Sequence, residues 1–483
     1  MSNSKNIFLK IGCLILALIS VLMTFVACGT DTIVDADDDA KSVATVEGTE
    51  PVPHYDWSGR VFTVLSVQNQ YEPNFEIVGA LDGSRIEPAV FARNVWIEEY
   101  YNVKIEQFAE TNVKPVQLLE NTINAGDNTF DLAFLVRNDM SSAIMKGFMK
   151  DLNEVAYLDF SKEWYNTSTL ETMKISGRLF HMVSDFSLVD KARTNVLFFN
   201  RDMAETNQLP DVVQMVRDGE WTIEAMLGCA KTEDLDGDGN MTLYDQWGLT
   251  CGGKEGCVAF WNALGNKMVD FDENGNWSVG VAKEHSINSI AELRKLFSEN
   301  VSFVGDKFGS YDDPTAVFKA GRGLFMGGSL SGIEGIGADA TFSYTALPFP
   351  KYDVDQEQYY TTNDNTYCAT FGIPACAFDV DFSGFMVEVL SWQSSTTTFP
   401  AYYEVLCKIK KSYDLVCSEM LDIVFEGLIF DFGLVYATEI NLKSKVLMES
   451  IYTTKEITTL YEGVQIATEN KIANLLSAAE ILD

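Results

Sequence analysis

Twelve consecutive residues carry the sharpest chemical signal in the chain, Asp234-Leu-Asp236-Gly-Asp238-Gly239-Asn240-Met-Thr242-Leu-Tyr-Asp245. Oxygen-bearing side chains stand at positions 1, 3, 5, 9 and 12, and Gly239 at position 6 supplies the turn. Asn240 at position 7 would offer its backbone carbonyl. Four carboxylates this close repel one another unless a cation neutralises them. Asp234, Asp236, Asp238, Asn240, Thr242 and Asp245 therefore read as the ligands of a structural Ca2+. Asp245 stands where such loops end in Glu, and its shorter arm loosens that contact. There is no second copy of the loop, so a paired sensor hand is not expected. The ion would fix a surface loop.

Other chemistry is conspicuous by what the chain lacks. It contains no GxSxG elbow, no P-loop and no HExxH, and its three histidines (His54, His181, His285) lie far apart. With 35 basic against 70 acidic side chains the net charge is −35, which excludes nucleic acid as a partner. So many carboxylates leave room for a glycosidase pair at the right separation. Hydrophobic residues at 47% and charged residues at 22% describe an ordinary globular mix, and 483 residues suit two or three domains or one large two-lobed unit.

The first thirty residues give an address. Lys5 and Lys10 precede an apolar run from Ile11 to Val26, which ends in Phe25-Val26-Ala27-Cys28-Gly29. That run falls short of the ~20 residues a spanning helix needs, and small residues before a cysteine mark a bacterial lipoprotein signal peptide. Residues 1–27 are expected to be removed, with Cys28 acylated (palmitate among the chains) and the protein held on the extracellular face of the cell membrane. The alternative is a single spanning anchor. Residues 28–56 are acidic and aperiodic and read as a flexible tether. Seven cysteines remain beyond Cys28 with no CxxC, so they form no disulfide framework. Cys251 and Cys257 flank a glycine-rich turn and could pair, with buried thiols the expected case.

From Trp57 the elements become regular. Strands are expected at Arg60–Val67, Val103–Phe108 and Asp131–Val136, alternating with helices that open at Pro88 and Pro115. Continuous apolar strands interleaved with helices indicate a parallel sheet covered on both faces. Ligands bind such sheets outside the carboxyl ends of the strands. A further strand is expected at Arg178–Phe186, new α/β material from Asn195, a helix over 222–230 with Trp221 as a structural plug at its start, and a strand at Thr345–Tyr352. Amphipathic helices fill the remainder after Ser383.

The order of several degenerate pieces then resembles family 1 extracellular solute-binding proteins, the sugar-binding lipoproteins of ABC importers. These are Leu197-Phe-Phe-Asn-Arg-Asp202, Gly219-Glu-Trp-Thr222, Phe318-Lys-Ala-Gly-Arg-Gly-Leu-Phe-Met326 and Leu347-Pro-Phe-Pro350. Phe199 stands where that family usually has Tyr, and Leu324, Phe325 and Gly327 replace its usual flanks of the Met. The resemblance implies an α/β, periplasmic-binding-protein-like fold, with two lobes and a ligand cleft at the hinge. Lobe 1 would comprise 57–190 and 345–395, and lobe 2 would comprise 191–344 and 396–483. Carried over by position, Gln70, Tyr71, Arg137, Asn138, Asp185, Trp261, Gly328 and Ser329 would bind the solute. An indole covers the apolar face of a sugar ring, while Asp, Arg and Asn bond its hydroxyls. Many members of that family carry a DxDGDG loop, in agreement with the Ca2+ expectation.

The leading expectation is thus a monomeric, lipid-anchored protein without catalytic residues that captures a small solute, expected to be an oligosaccharide, by hinge closure and delivers it to ABC permease subunits. A surface glycan hydrolase and a calcium-dependent adhesion module are the alternatives.

Overall fold

The computed structural model describes residues 50–483 apart from 67, 70–71, 74–76, 84–85, 110–113, 273–274, 306–312, 333–335, 338–339, 364–367, 409–414, 437–439, 441 and 482–483. Alternation in Arg60-Val-Phe-Thr-Val-Leu65 buries Phe62 and Val64 and gives strand β1 (Arg60–Leu65). Pro88 opens helix α1 (Glu87–Tyr101), where its missing N–H has no intrahelical partner to lose, and Asn102 ends it in the left-handed region at φ 50°. Then come β2 (Val103–Phe108), α2 (Pro115–Ala125), β3 (Leu132–Val136) and α3 (Arg137–Met145). Strand β3 does not alternate because both its faces are covered, and Leu132 to Leu135 are fully buried. β1 runs parallel to β2 and β3.

The stretch Arg178–Phe186, expected as a strand, pairs only through isolated bridges, Ile175 with Arg178 and Met182 with Phe371. The amide of Leu152 is committed to the Leu179 carbonyl, so no continuous ladder forms there. Helix α4 (Leu188–Ala192) then leads out of the first sheet into β4 (Asn195–Asn200). The second lobe continues with α5 (Ile223–Cys229), β5 (Trp247–Cys251), α6 (Gly256–Ala263), α7 (Glu284–Leu296), β6 (Ser302–Val304), α8 (Asp313–Lys319), β7 (Gly323–Ser329) and β8 (Tyr344–Leu347). Its sheet has the order β6-β5-β7-β4-β8, with β5, β6 and β7 parallel and β4 antiparallel to both its neighbours. Trp221, fully buried, plugs the start of α5 and donates Nε1 to the Pro348 carbonyl at 3.2 Å.

The chain returns to the first sheet with β9 (Ala369–Gly372), antiparallel to β3, completing the order β9-β3-β1-β2. Helix α9 (Val380–Thr396) is capped by Asp379, whose side chain accepts from the Phe382 amide at 3.1 Å. Helix α10 (Leu415–Glu426) packs on β8, and α11 (Gln465–Ile481) packs on α3.

Three expected boundaries shift. The strand near 345 belongs to lobe 2, because Tyr344–Leu347 pairs with β4. The segment 396–483 is not all lobe 2: residues 398–408 pack on α1 and α9, and α11 returns to lobe 1 with Ile472 and Leu475 buried. The tether gives way to fold before 56, since Val52 is buried and His54 Nε2 bonds the Tyr100 carbonyl at 2.9 Å. The leader and Cys28 lie outside the described residues.

Candidate functional site

Three stretches of chain lie side by side where the lobes meet. The Asn195 amide donates to the Thr362 carbonyl at 2.9 Å, and the Thr361 hydroxyl donates to the Asn195 carbonyl at 2.6 Å. Thr361 then exchanges backbone bonds with Gly427 and Ile429 at 2.9 and 2.8 Å. Gly427 is required by this approach, since a β-carbon there would stand 2.0 Å from the Tyr359 carbonyl oxygen. Asn363 ties the crossing to both sides. Its Nδ2 donates to Asp190 O and to Thr194 Oγ1, while its Oδ1 accepts from Arg137 Nη2 at 3.3 Å.

Asp190, Lys191 and Asp185 form a charged knot at the first crossing. Lys191 Nζ lies 2.8 Å from Asp190 Oδ2 and 3.8 Å from Asp185 Oδ1. Burial works against the ammonium, but Asp190 and Asp185 outweigh it and hold the Lys191 pKa above its ordinary value. Burial likewise pushes Asp185 up to about 6.

On the second lobe, parallel strands β5 and β7 end at Cys251 and Ser329, at the carboxyl edge of the sheet beside the crossing. A cavity of about 200 Å³ opens there, lined among others by Asn195, Gly252, Gly253, Glu255, Gly328 and Lys443. Lys443 Nζ pairs with Glu255 Oε1 at 3.0 Å. At Gly256 a β-carbon would fall 2.0 Å from Cys251 Sγ, so any larger residue there would displace that thiol. Gly327 and Gly328 differ. Neither has a left-handed backbone, and a β-carbon would meet its nearest neighbours only at 3.7 Å, an ordinary contact.

The expected site residues divide accordingly. Gly328 and Ser329 line the cavity. Asp185 is half-buried at the crossing. Arg137 is buried, bonded to Asn363 and stacked over the Phe430 ring at 4.5 Å, so it braces the hinge, and neighbouring Asn138 is the exposed side chain of that rim. Trp261 is corrected. It lies fully buried in α6 with Nε1 bonded to Ser286 Oγ at 3.1 Å, because the inward face of that helix needs its bulk, and it offers no ring to a solute. Gln70 and Tyr71 lie outside the described residues. Asn195, Glu255 and Lys443 escaped the sequence reading. Gly252-Gly253 following a buried strand was a visible signal for that loop, but nothing ties Lys443 to it from nearly two hundred residues away.

In the acidic loop, Asp234, Asp236 and Asp245 bring oxygens within 4.8 Å of one another. Gly237 and Gly239 adopt φ 71° and 84°, and their amides donate to Asp234 at 2.7 Å, which holds that carboxyl below its usual range. Asp238 stays outside the trio and accepts from the Asn240 amide at 2.6 Å. The three converging carboxylates suit a hard cation. Cys229, Cys251, Cys257, Cys368 and Cys417 are buried, and Cys376 is half-buried.

No family model matches the chain, and no curated protein matches it in sequence. Solved structures do match in fold. UspC of M. tuberculosis aligns over 85% of this chain and 100% of its own, with a TM-score of 0.57 at 12% identity. A cyclo/maltodextrin-binding protein complexed with maltotetraose covers 86% and 99% with a TM-score of 0.57 at 14% identity. The maltose-binding periplasmic protein of Listeria monocytogenes, in complex with maltose, covers 85% and 97% with a TM-score of 0.56 at 13% identity. The fold is periplasmic-binding-protein-like, that of sugar-type solute-binding proteins.

Proposed function

We propose that this chain, sharing the fold of sugar-binding substrate-binding proteins, captures a small carbohydrate between its two lobes and delivers it unaltered to an ABC importer. The observation that supports this most is the meeting of two sheets at one three-stranded crossing, with a glycine-walled cavity at the carboxyl edge of the second. Ligand binding outside the carboxyl ends of strands is the rule for open α/β sheets. A solute that touches both lobes binds the closed form better than the open one and shifts the population toward it. The neighbours in fold are binding proteins, which favours capture over hydrolysis.

Lipidation of Cys28, residence on the outer face of the membrane and a Ca2+ ion in the Asp234–Asp245 loop belong to the same proposal. No helix among the described residues is long and apolar enough to cross a membrane. Two or more lipid chains on Cys28 would hold the protein to one stably. Asp234, Asp236 and Asp245 would hold the ion, which would stiffen the loop leading into β5. A thermal-shift screen of mono- and oligosaccharides, followed by recovery of each hit, tests the reading. Stabilisation with the sugar recovered intact supports capture. Release of a shorter sugar would overturn it in favour of a glycan hydrolase.

A further inference from the structure

We propose that the second-lobe cavity is an acid-reading subsite, which takes one sugar ring whose carboxylate replaces Glu255 as the partner of Lys443. The captured carbohydrate would then carry a uronic acid. This deepens the capture reading and rests on it.

Size sets the first limit. Sites for drug-sized ligands begin at roughly 300 Å³, so a cavity of about 200 Å³, open on one side to solvent, has room for one sugar ring within its walls. Gly327 and Gly328 keep that space open. The backbone at both positions accepts any residue, and a β-carbon would fit against Phe260 or Phe198, so the fold does not demand glycine there. What their missing side chains leave is room for something else.

The charges are placed asymmetrically. Lys443 is the only cationic side chain among the described residues lining the cavity, and its side chain is 18% exposed. On a side chain with so little exposure, a counter-charge stabilises the ammonium. Glu255 provides one, yet its own side chain is 55% exposed, so it can leave for water with little penalty. A ligand carboxylate arriving in the cavity would satisfy the same ammonium with a charge-assisted bond. A neutral ring would offer only hydroxyls and leave the Lys443–Glu255 pair in place. The amino end of α6 opens beside the cavity at Gly256 and adds positive potential of its own. Asn195 and Ser329, on the same wall, remain available to ring hydroxyls.

Isothermal titration of the full chain with galacturonic and glucuronic acids, their disaccharides and the matching neutral sugars tests the proposal. The acids are expected to bind roughly 10- to 100-fold more tightly than their neutral counterparts. Lys443→Met should erase that ratio, and Glu255→Gln should keep or increase it. Gly328→Val should abolish binding of acids and neutral sugars alike while its melting temperature and circular dichroism stay those of the parent. Equal binding of acids and neutral sugars, or a ratio unmoved by Lys443→Met, overturns the acid-reading subsite and leaves sugar capture standing. Binding of neither class would remove both the subsite and the carbohydrate reading.

Discussion

Glu388 sits in the middle of α9, 1% exposed, with Oε2 accepting the Tyr165 hydroxyl at 2.7 Å and Oε1 without a hydrogen-bond partner among the described residues. Burial pushes its pKa from 4.5 up to about 7. A carboxyl raised on folding binds its proton more tightly in the native state, so stability falls as pH rises through the window from 4.5 to about 7 and then levels off. Glu388→Gln keeps an acceptor for Tyr165 and removes the charge. Urea denaturation at pH 5 and pH 8 should show the variant near the parent at the lower pH, and more stable by an amount on the order of 3 kcal/mol at the higher. Equal differences at both values would mean that Glu388 is ionised throughout. Nothing in the residue order singles Glu388 out, because a glutamate in an apolar helix looks like any solvent-facing one until the packing is known. Trp261 failed for the opposite reason. An indole suits a sugar face and a core equally well, and only the burial of α6 decides between them.

The acidic loop is an element whose local chemistry was legible without coordinates, since all its candidate ligands lie within twelve positions. The structure adds that Asp245, Asp234 and Asp236 converge while Asp238 serves the loop backbone. Millimolar Ca2+ is expected to raise the melting temperature. At a hundredfold excess over Kd the stabilisation amounts to about 2.7 kcal/mol. EDTA should reverse it, and Asp236→Asn should weaken it at least severalfold. An equal shift with Mg2+, or one that survives Asp236→Asn, would exclude a dedicated calcium loop. Strands fared similarly. β1, β2, β3 and β4 follow from alternation or continuous burial inside single segments, whereas Arg178–Phe186 meets its neighbours only at isolated bridges, Ile175–Arg178 and Met182–Phe371.

At the scale of the whole molecule, the proposed closure would need the three crossing stretches to bend together, and Asn363 joins them to Arg137. Asn363→Ala removes bonds to Asp190, Thr194 and Arg137 at a buried crossing. It is expected to lower stability by about 2–3 kcal/mol and to blunt the contraction that small-angle scattering should record when a sugar hit is added to the parent. Undiminished contraction in the variant would show that hinge setting resides elsewhere. The two-lobed plan was readable from the order of motifs, but the route of the chain was not, since no local pattern reveals that α11 returns to the first lobe and buries Ile472 and Leu475 there. That return makes each lobe a composite of separate stretches of gene. No single cut yields either half, and a premature stop that spares every strand would still strip the first lobe of one of its walls.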